Sequence, residues 1–372
     1  MIKILHFLTD TNIGGAGNLL IQQISRMDNK EFDFTVALPK SSKLINKLPC
    51  KIIECKYGAD RSLSIKSIIE STKIIKSSKP DIVHSHGSLS SRIAATLLNI
   101  PCRVFTRHCA PAIPKYMKNS FAKRCFGKMN SILSSSIIAV SPYTKMHLIE
   151  LGCDENKITT VMNGCAPLRR LNEDEKLDLR QKYGLENDTF VISIVARLEK
   201  GKGHSTLIES AKICKDKYPN FHFLIVGTGS FEENLRDYTN KLCVESIVHF
   251  TGFCDDIATI FNITDINVNC SYESETASLS ICEGMSLGIP TVASNIGGNP
   301  YMVKSGESGL IFPAQNSTAL ADALIRLYTD KALYKKCSLG AQMRYSAELN
   351  GEIMCKKMKD FYLREYAENY KK

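Results

Sequence analysis

Several familiar signatures are missing from this chain. No stretch of its 372 residues approaches the run of about 18 apolar residues that a membrane-spanning helix needs. The opening, Met1-Ile2-Lys3-Ile4-Leu5-His6-Phe7-Leu8-Thr9-Asp10, is too short and too polar for a secretory signal and reads as a buried first strand entering a loop. Cysteine is plentiful at 14, yet no two form a C-x-x-C pair and no histidines cluster beside them at zinc-finger spacing. A chain of this length makes its core without disulfides, so free thiols in a reducing cytosol are expected. There is no solenoid-period repeat, no low-complexity tract and no arginine-rich tail, and with no zinc-finger pattern nucleic acid is disfavoured as a partner.

The charge is uneven. Residues 1–170 hold 25 Lys and Arg against 11 Asp and Glu, a net +14, while the remainder holds 23 against 27, a net −4. A strongly basic half and a mildly acidic half should meet different partners.

Short β-rich runs alternate with helix-length segments throughout, the pattern of parallel sheets with helical crossovers. Strands are expected at 2–8, 34–38, 82–85, 103–106 and 136–140, then at 190–195, 222–226, 247–251, 266–269 and 291–294. Helices are expected over 64–79, 206–216 and 231–241. Two such series predict two doubly wound domains. The Asn163-Gly164 turn and Pro167 put the boundary within 163–173, giving residues 1–168 and 169–350. Residues 351–372 read as a charged amphipathic helix that packs back towards the first domain.

Three segments of the second half suit a diphosphate. Arg197 and Lys202, in Ala196-Arg197-Leu198-Glu199-Lys200-Gly201-Lys202-Gly203-His204, lie at a strand's carboxyl end, where open α/β sheets bind ligands. A guanidinium fork and an ammonium can together neutralise a pyrophosphate, although a solvated basic loop looks the same. Glu275 and Glu283 are eight positions apart. Ser278 to Leu287 reads as a helix, so the N–H groups of Ala277, Ser278 and Leu279 form an anion-binding terminus or merely a capped helix start. Gly297-Gly298 follows a strand and allows close backbone approach, or simply a tight turn.

In the first half, Asn12-Ile13-Gly14-Gly15-Ala16-Gly17-Asn18 is not G-x-G-x-x-G, and no acidic residue closes a second strand to hold a ribose, so NAD is disfavoured. His84-Ser85-His86 ends one strand and His108 follows another. His108 is the better functional candidate, because a loop follows it on the half where an acceptor would enter. Lys115 to Met129 combines Lys115, Lys118, Lys123, Arg124 and Lys128 with Tyr116, Met117, Phe121 and Phe126. At helical spacing Met117, Phe121 and Phe126 would form an apolar edge flanked by cations, suited to an anionic membrane surface, the alternative being a solvated face.

Taken in register, these motifs resemble the retaining glycosyltransferase family 4. They run from Gly14-Gly15 through Asp81-Ile82-Val83-His84-Ser85-His86, Thr106-Arg107-His108 and Asn163-Gly164. Ala196-Arg197-Leu198, Lys202-Gly203-His204, Val226-Gly227-Thr228-Gly229, Glu275 to Glu283, Gly288-Ile289-Pro290 and Gly297-Gly298 continue the series. The resemblance implies the GT-B fold, two Rossmann-like domains facing each other across a deep cleft and closing on the donor. It assigns Arg197 and Lys202 to the donor diphosphate and Glu283 to the ribose. Glu275 and the backbone at Ala277, Ser278 and Leu279 go to the sugar and phosphate, Gly15 to the phosphates from the other domain, and His108 to the acceptor or sugar. No D-x-D is present, which fits a family that needs no metal or other cofactor and stabilises its leaving group electrostatically. The co-substrate is expected to be a nucleotide-diphosphate sugar, UDP-linked above all. The acceptor is expected to be a glycan or lipid-linked intermediate of a bacterial surface polysaccharide, met by a cytoplasmic enzyme peripheral on the inner membrane face. Two departures stand out: Gly284 follows Glu283 where the family has Ala, and Tyr301 replaces a Glu. An epimerase of the same fold and a non-catalytic scaffold are the alternatives.

Overall fold

In the computed structural model the described residues are all but 10, 12–13, 28–29, 57–63 and 371–372, together with the side chain of Lys118. The chain forms two compact units, Met1–Cys165 with Gly351–Lys372, and Ala166–Asn350. The unit break thus precedes residue 168, and Ala166, Pro167 and Leu168 go with the second unit.

The first unit runs β1 (Ile2–Leu8), α1 (Gly15–Arg26), β2 (Phe32–Pro39), β3 (Lys51–Cys55), α2 (Ile65–Ser78), β4 (Ile82–His86) and α3 (Leu89–Leu97). It continues with β5 (Cys102–Arg107), α4 (Ser120–Leu133), β6 (Ser136–Ala139), α5 (Pro142–Glu150) and β7 (Ile158–Thr160). Its seven strands are all parallel in the order β3-β2-β1-β4-β5-β6-β7. Every residue of β4 is buried, as expected for a parallel strand covered on both faces.

The second unit holds α6 (Glu173–Lys182), β8 (Phe190–Val195), α7 (His204–Lys215), β9 (Phe221–Val226), α8 (Glu232–Lys241), β10 (Val248–Gly252) and α9 (Ile257–Phe261). Then follow β11 (Ile266–Asn269), α10 (Leu279–Ser286), β12 (Thr291–Ser294), α11 (Asn299–Met302), β13 (Gly309–Phe312), α12 (Ser317–Thr329) and α13 (Lys331–Arg344). Its six parallel strands are ordered β10-β9-β8-β11-β12-β13. The core beneath them is made by Ile192, Ile194, Phe221, Phe223, Ile266 and Val292 with Leu207, Leu320 and Leu324.

The last helix, α14 (Gly351–Tyr370), belongs to the first unit. Gly351 N–H donates to the Cys165 carbonyl at 2.7 Å. Buried Tyr362 and Glu365 anchor the helix: Tyr362 bonds Gln23 and His84, and the Glu365 carboxylate accepts from the Ser135 hydroxyl at 3.2 Å and from Ser136.

Both sheets reverse their strand order once, between β1 and β4 and between β8 and β11. Ligands bind open α/β sheets outside the carboxyl ends of the strands at such points. His86 ends β4, the loop after β8 carries Arg197 and Lys202, and the loop after β11 carries Glu275.

Candidate functional site

In the second unit the chain leaves β8 at Val195 and turns through Arg197 and a short 3-10 turn over Lys200–Lys202. Gly203 then starts α7 at φ +73°, where a Cβ would stand 2.0 Å from the Cys270 carbonyl oxygen. Only glycine lets the basic loop lie this close to the end of β11. Arg197 is exposed and donates no side-chain hydrogen bond among the described residues, so its guanidinium is available to a ligand.

Lys202 behaves differently. Its Nζ lies 2.8 Å from Glu275 Oε2, an ion pair that is largely buried on the carboxylate side. The Ser271 hydroxyl donates to the same oxygen at 3.0 Å and the Asn269 amide approaches at 3.5 Å. Burial pushes the Glu275 carboxyl up, but the Lys202 charge and these donors outweigh it and hold it below its ordinary value. The pair is therefore ionised, with a positive charge held fixed beside the start of α10. Beneath it, Asn299 Nδ2 donates to Asn269 Oδ1 at 3.3 Å and to the Ser294 hydroxyl at 3.1 Å, and the Ser294 hydroxyl donates to the Ser271 carbonyl.

The two-glycine turn after β12 takes its meaning from this loop. A Cβ on Gly297 would meet the Glu275 carbonyl oxygen at 2.0 Å, and one on Gly298 the Thr276 oxygen at 1.7 Å. Gly298 N–H also donates to Glu275 O at 2.9 Å. The close approach these glycines permit is thus to the backbone that carries Glu275. Gly227 and Gly229 press in the same way on the carbonyls of Ala196 and Leu198, so glycine turns buttress both loops. At Gly284 the fit is looser, since a Cβ there would stand 3.3 Å from Asn267 Nδ2 and from the Phe261 ring.

Ser278 caps α10, but its hydroxyl lies 3.0 Å from Ser280 Oγ and does not accept from the first-turn amides. The positive end of the helix dipole therefore adds to Arg197 and Lys202. Ala277 is buried, and Ser278 and Leu279 are half-buried. Glu283, one turn further along, receives no hydrogen bond at its carboxylate among the described residues, and burial pushes its pKa up to about 7. Behind Lys202, His204 is buried with both ring nitrogens unpartnered and its pKa lowered to about 4.

In the first unit, α1 begins at Gly15 with no side-chain cap. Added Cβ atoms on Gly14 and Gly15 would meet nothing, whereas one on Gly17 would collide with Leu44. A side chain at residue 17 would thus require Leu44 to shift, whereas Gly15 is open to an approaching ligand; Asn12 and Ile13 lie outside the described residues.

His108, half-buried, is the end of a chain of imidazoles. His86 Nδ1 lies 2.9 Å from His108 Nε2, and His86 Nε2 lies 2.9 Å from His6 Nδ1. His6 pairs with His84 across the β1–β4 register, and strand alternation puts His86 on the same face as His84. His84 bonds the Tyr362 hydroxyl and the Thr106 hydroxyl, each at 2.6 Å. Burial lowers the pKa to about 3 for His6 and about 4 for His108, and holds His84 and His86 well below 6.5, so all four rings are neutral at pH 7. His6, His84 and His86 bring nitrogens within 4.8 Å of one another, close enough for a metal. Of their six ring nitrogens, five already face one another, Tyr362, Thr106 or His108, and His6 Nε2 has no partner. The adjoining cavity, lined in part by His86, His108, Asn163 and Met354, is about 30 Å³, room for a water or two and not for a sugar. Sequence reasoning singled out His108 but missed His6, Gln23, Thr106 and Tyr362, whose meeting depends on strand register and on α14.

The basic segment is not one helix. A 3-10 turn over Lys115–Lys118 ends at Asn119, whose extended backbone and side chain cap α4. Met117 is buried and Phe126 packs on the core of Phe105, Ile137 and Leu148, so the expected apolar edge does not form. The exposed face instead carries Phe121, Cys125, Met129 and Ile132, spaced at whole turns, with Tyr116 nearby. Lys115, Arg124 and Lys128 are exposed, Lys123 is half-buried 3.9 Å from Glu150, and the Lys118 side chain lies outside the described residues.

Residues 13–167 match the model of Glycosyltransferase Family 4, and residues 175–344 that of Glycosyl transferases group 1. The chain is 28% identical over 354 residues, 89% of each chain, to the UDP-Gal:alpha-D-GlcNAc-diphosphoundecaprenol alpha-1,3-galactosyltransferase of Escherichia coli. It is 26% identical to the capsular polysaccharide biosynthesis glycosyltransferase CapM of Staphylococcus aureus, across 97% of this chain and 96% of that one. Its fold matches that of Anabaena HepE, crystallised with UDP-glucose, at a TM-score of 0.83 and 19% identity, covering 98% of this chain and 100% of that one.

Proposed function

As a member of glycosyltransferase family 4 with the GT-B fold, this chain is a glycosyltransferase, and we propose that it is a retaining one. It moves a sugar from a nucleoside diphosphate, UDP above all, to a hydroxyl of a glycan or lipid-linked acceptor in surface-polysaccharide synthesis. The names of the Escherichia coli and Staphylococcus aureus relatives and the UDP-glucose bound to HepE support this reading. The observation that carries it is the convergence of exposed Arg197, the Lys202–Glu275 pair and the uncapped start of α10 at the switch point of one sheet.

Chemically, this arrangement suits a leaving diphosphate. Arg197 offers a bidentate fork, Lys202 a fixed charge, and the α10 amides oriented dipoles, so charge on the departing phosphate is stabilised without a metal. Glu283 accepts from the ribose hydroxyls, and Gly15 and His108 serve the phosphates and the sugar or acceptor. No side chain is assigned as a nucleophile, and front-face departure assisted by the donor phosphate and passage through a covalent intermediate both fit this arrangement.

Thermal melting with UDP, GDP, ADP and CMP tests the donor class, because a ligand that binds only the native state raises the melting temperature. One nucleotide should stabilise the wild type and fail to stabilise Arg197→Ala. If none shifts the wild type, the site assignment falls. Conversion of the nucleotide sugar in the absence of any acceptor would favour an epimerase instead.

Lys202→Ala should lower turnover at least about tenfold, because it removes a charge aimed at the diphosphate and strands the buried Glu275 carboxylate. Steady-state rates near those of the wild type would remove Lys202 from the site.

We assign the exposed face of α4 to an anionic membrane surface at the cytoplasmic side. Phe121, Met129 and Ile132 would insert at the interface, while Lys115, Arg124 and Lys128 contribute about 1 kcal/mol each near anionic lipid. Sedimentation with vesicles should show binding to anionic lipid that Phe121→Asp abolishes; equal binding to neutral vesicles would exclude the electrostatic part.

A further inference from the structure

The Glu275 carboxylate is held through one of its two oxygens. Oε2 meets three donors: Lys202 Nζ at 2.8 Å, the Ser271 hydroxyl at 3.0 Å and Asn269 Nδ2 at 3.5 Å. Oε1 accepts no hydrogen bond among the described residues. An ionised carboxylate has lone pairs on both oxygens, so the unused acceptor capacity of Glu275 is concentrated on Oε1.

The donors to Oε2 are themselves oriented by Asn299, which is fully buried at the start of α11. Ser271 N–H donates to Asn269 Oδ1 at 3.2 Å, which fixes that atom as the amide oxygen and turns Asn269 Nδ2 towards the carboxylate. The same Asn269 oxygen accepts from Asn299 Nδ2 at 3.3 Å. The Ser294 hydroxyl has one proton and gives it to the Ser271 carbonyl, so towards Asn299, at 3.1 Å, it is the acceptor. One amide group therefore holds two arms, one through Asn269 and one through Ser294. Between them the arms grip Ser271 at its N–H and at its carbonyl, and leave its hydroxyl to donate to Glu275. Turning the Asn299 amide over would set its oxygen against two acceptors. Asn269, Ser271, Ser294 and Asn299 are all buried, where a network with every bond made keeps a single arrangement and a broken link is costly.

We propose that Asn299 is a positioning residue for sugar transfer: through Asn269, Ser294 and Ser271 it fixes the Glu275 carboxylate so that Oε2 stays on Lys202 and Oε1 is left to accept from a hydroxyl of the donor sugar. This rests on the assignment of Glu275 to the donor sugar given above. It deepens that assignment by naming the oxygen that reads the sugar and the buried amide that keeps it in place.

Asn299→Leu keeps the branched shape of the side chain and removes both donated bonds. In the full chain it should lower kcat with the nucleotide sugar about fivefold or more, while UDP, which carries no sugar, binds within about threefold of the wild type. In a Glu275→Ala background the same substitution should cost less than about twofold, because the group it acts through is gone; a purely structural role would give the same loss in both backgrounds. Carbon-13 NMR titration of the Glu275 carboxyl reads the link without turnover. Its pKa, held below the ordinary value in the wild type, should rise in Asn299→Leu as the oriented donors loosen. Ser294→Ala removes one arm by a small truncation; it should move both readouts in the same direction by less, and it carries the test if Asn299→Leu does not fold. An unchanged Glu275 titration in these variants, or an equal loss of turnover with and without the Glu275 side chain, would overturn the proposal. If the titration moves as expected and the wild type transfers no sugar from any nucleotide donor, the network stands and the donor-sugar reading of Glu275 fails.

Discussion

Lowering the pH from about 7.5 to about 5.5 should destabilise the first unit by about 5 kcal/mol, much of the total stability of an ordinary domain. His6, His84 and His86 are buried, His108 is half-buried and all four are neutral, with pKa values of about 3 and about 4 for His6 and His108 and values well below 6.5 for the other two. Their folded pKa values lie below the unfolded value, so the unfolded chain binds protons that the folded one refuses. The stability they allow is complete above about pH 6.5 and is lost as the pH falls towards the folded values. Over this interval each contributes about 1.4 kcal/mol, and the buried His147 adds to the same trend. The second unit should respond less. His204, His222 and His249 act in the same direction there, but Glu283, with its pKa raised to about 7, gains stability as it takes up a proton. Denaturant titrations at the two pH values, followed by hydrogen exchange assigned to each unit, check this. Parallel losses in the two units would show that the histidine chain does not control acid lability.

Glu283→Gln should make the ligand-free protein more stable and the nucleotide complex weaker. At about pH 8 the carboxylate is ionised in a site that raises its pKa from 4.5 to about 7, a penalty of about 3 kcal/mol. This is the reverse of an ordinary carboxylate: its contribution to stability is fullest below pH 4.5 and is lost as the pH rises through about 7. Part of the penalty returns as the desolvation of the new amide, so a rise in melting temperature of about 2–8 °C is expected. A neutral amide is a weaker acceptor than a carboxylate for two ribose hydroxyls, and UDP affinity should fall at least about tenfold. Calorimetric titration with UDP, beside melting curves at about pH 6 and about pH 8, separates the two effects. Unchanged UDP affinity would remove Glu283 from the ribose site, and a stability gain as large at pH 6 as at pH 8 would contradict the burial of its charge.

Why these residues make these elements was partly legible in the chain. The runs at 2–8, 190–195, 266–269 and 291–294 are rich in β-formers and turn-bounded, and they form β1, β8, β11 and β12 over the same residues. Three strands escaped for identifiable reasons. β3 lies at a sheet edge, with Lys51 and Glu54 exposed; β7 is three residues long; and β13 opens on Gly309 at φ +156°, which breaks the pattern of a strand.

The candidate site divides along the same line. Arg197, Lys202, Glu275 and Glu283 stand out by residue type and spacing within one domain. The roles of the glycines around them do not, because Gly297 and Gly298 answer to the carbonyls of Glu275 and Thr276, more than twenty residues earlier. Likewise no local pattern reveals that Asn119 stops the turn before α4 and sends Phe126 inward. His6 and Tyr362 are more than three hundred residues apart in sequence, and only strand order and the return of α14 make them neighbours.

That return bears on synthesis. The first unit is written in two pieces, residues 1–165 and 351–372, while the second is one uninterrupted stretch. On the ribosome the usual order is that the earlier domain is finished first. Here Gln23 and His84 wait for Tyr362, and Ser135 and Ser136 wait for Glu365, until the whole of the second unit has been synthesised. The later-encoded unit can therefore reach its native state during translation, while the earlier one completes its packing only after that unit has been made.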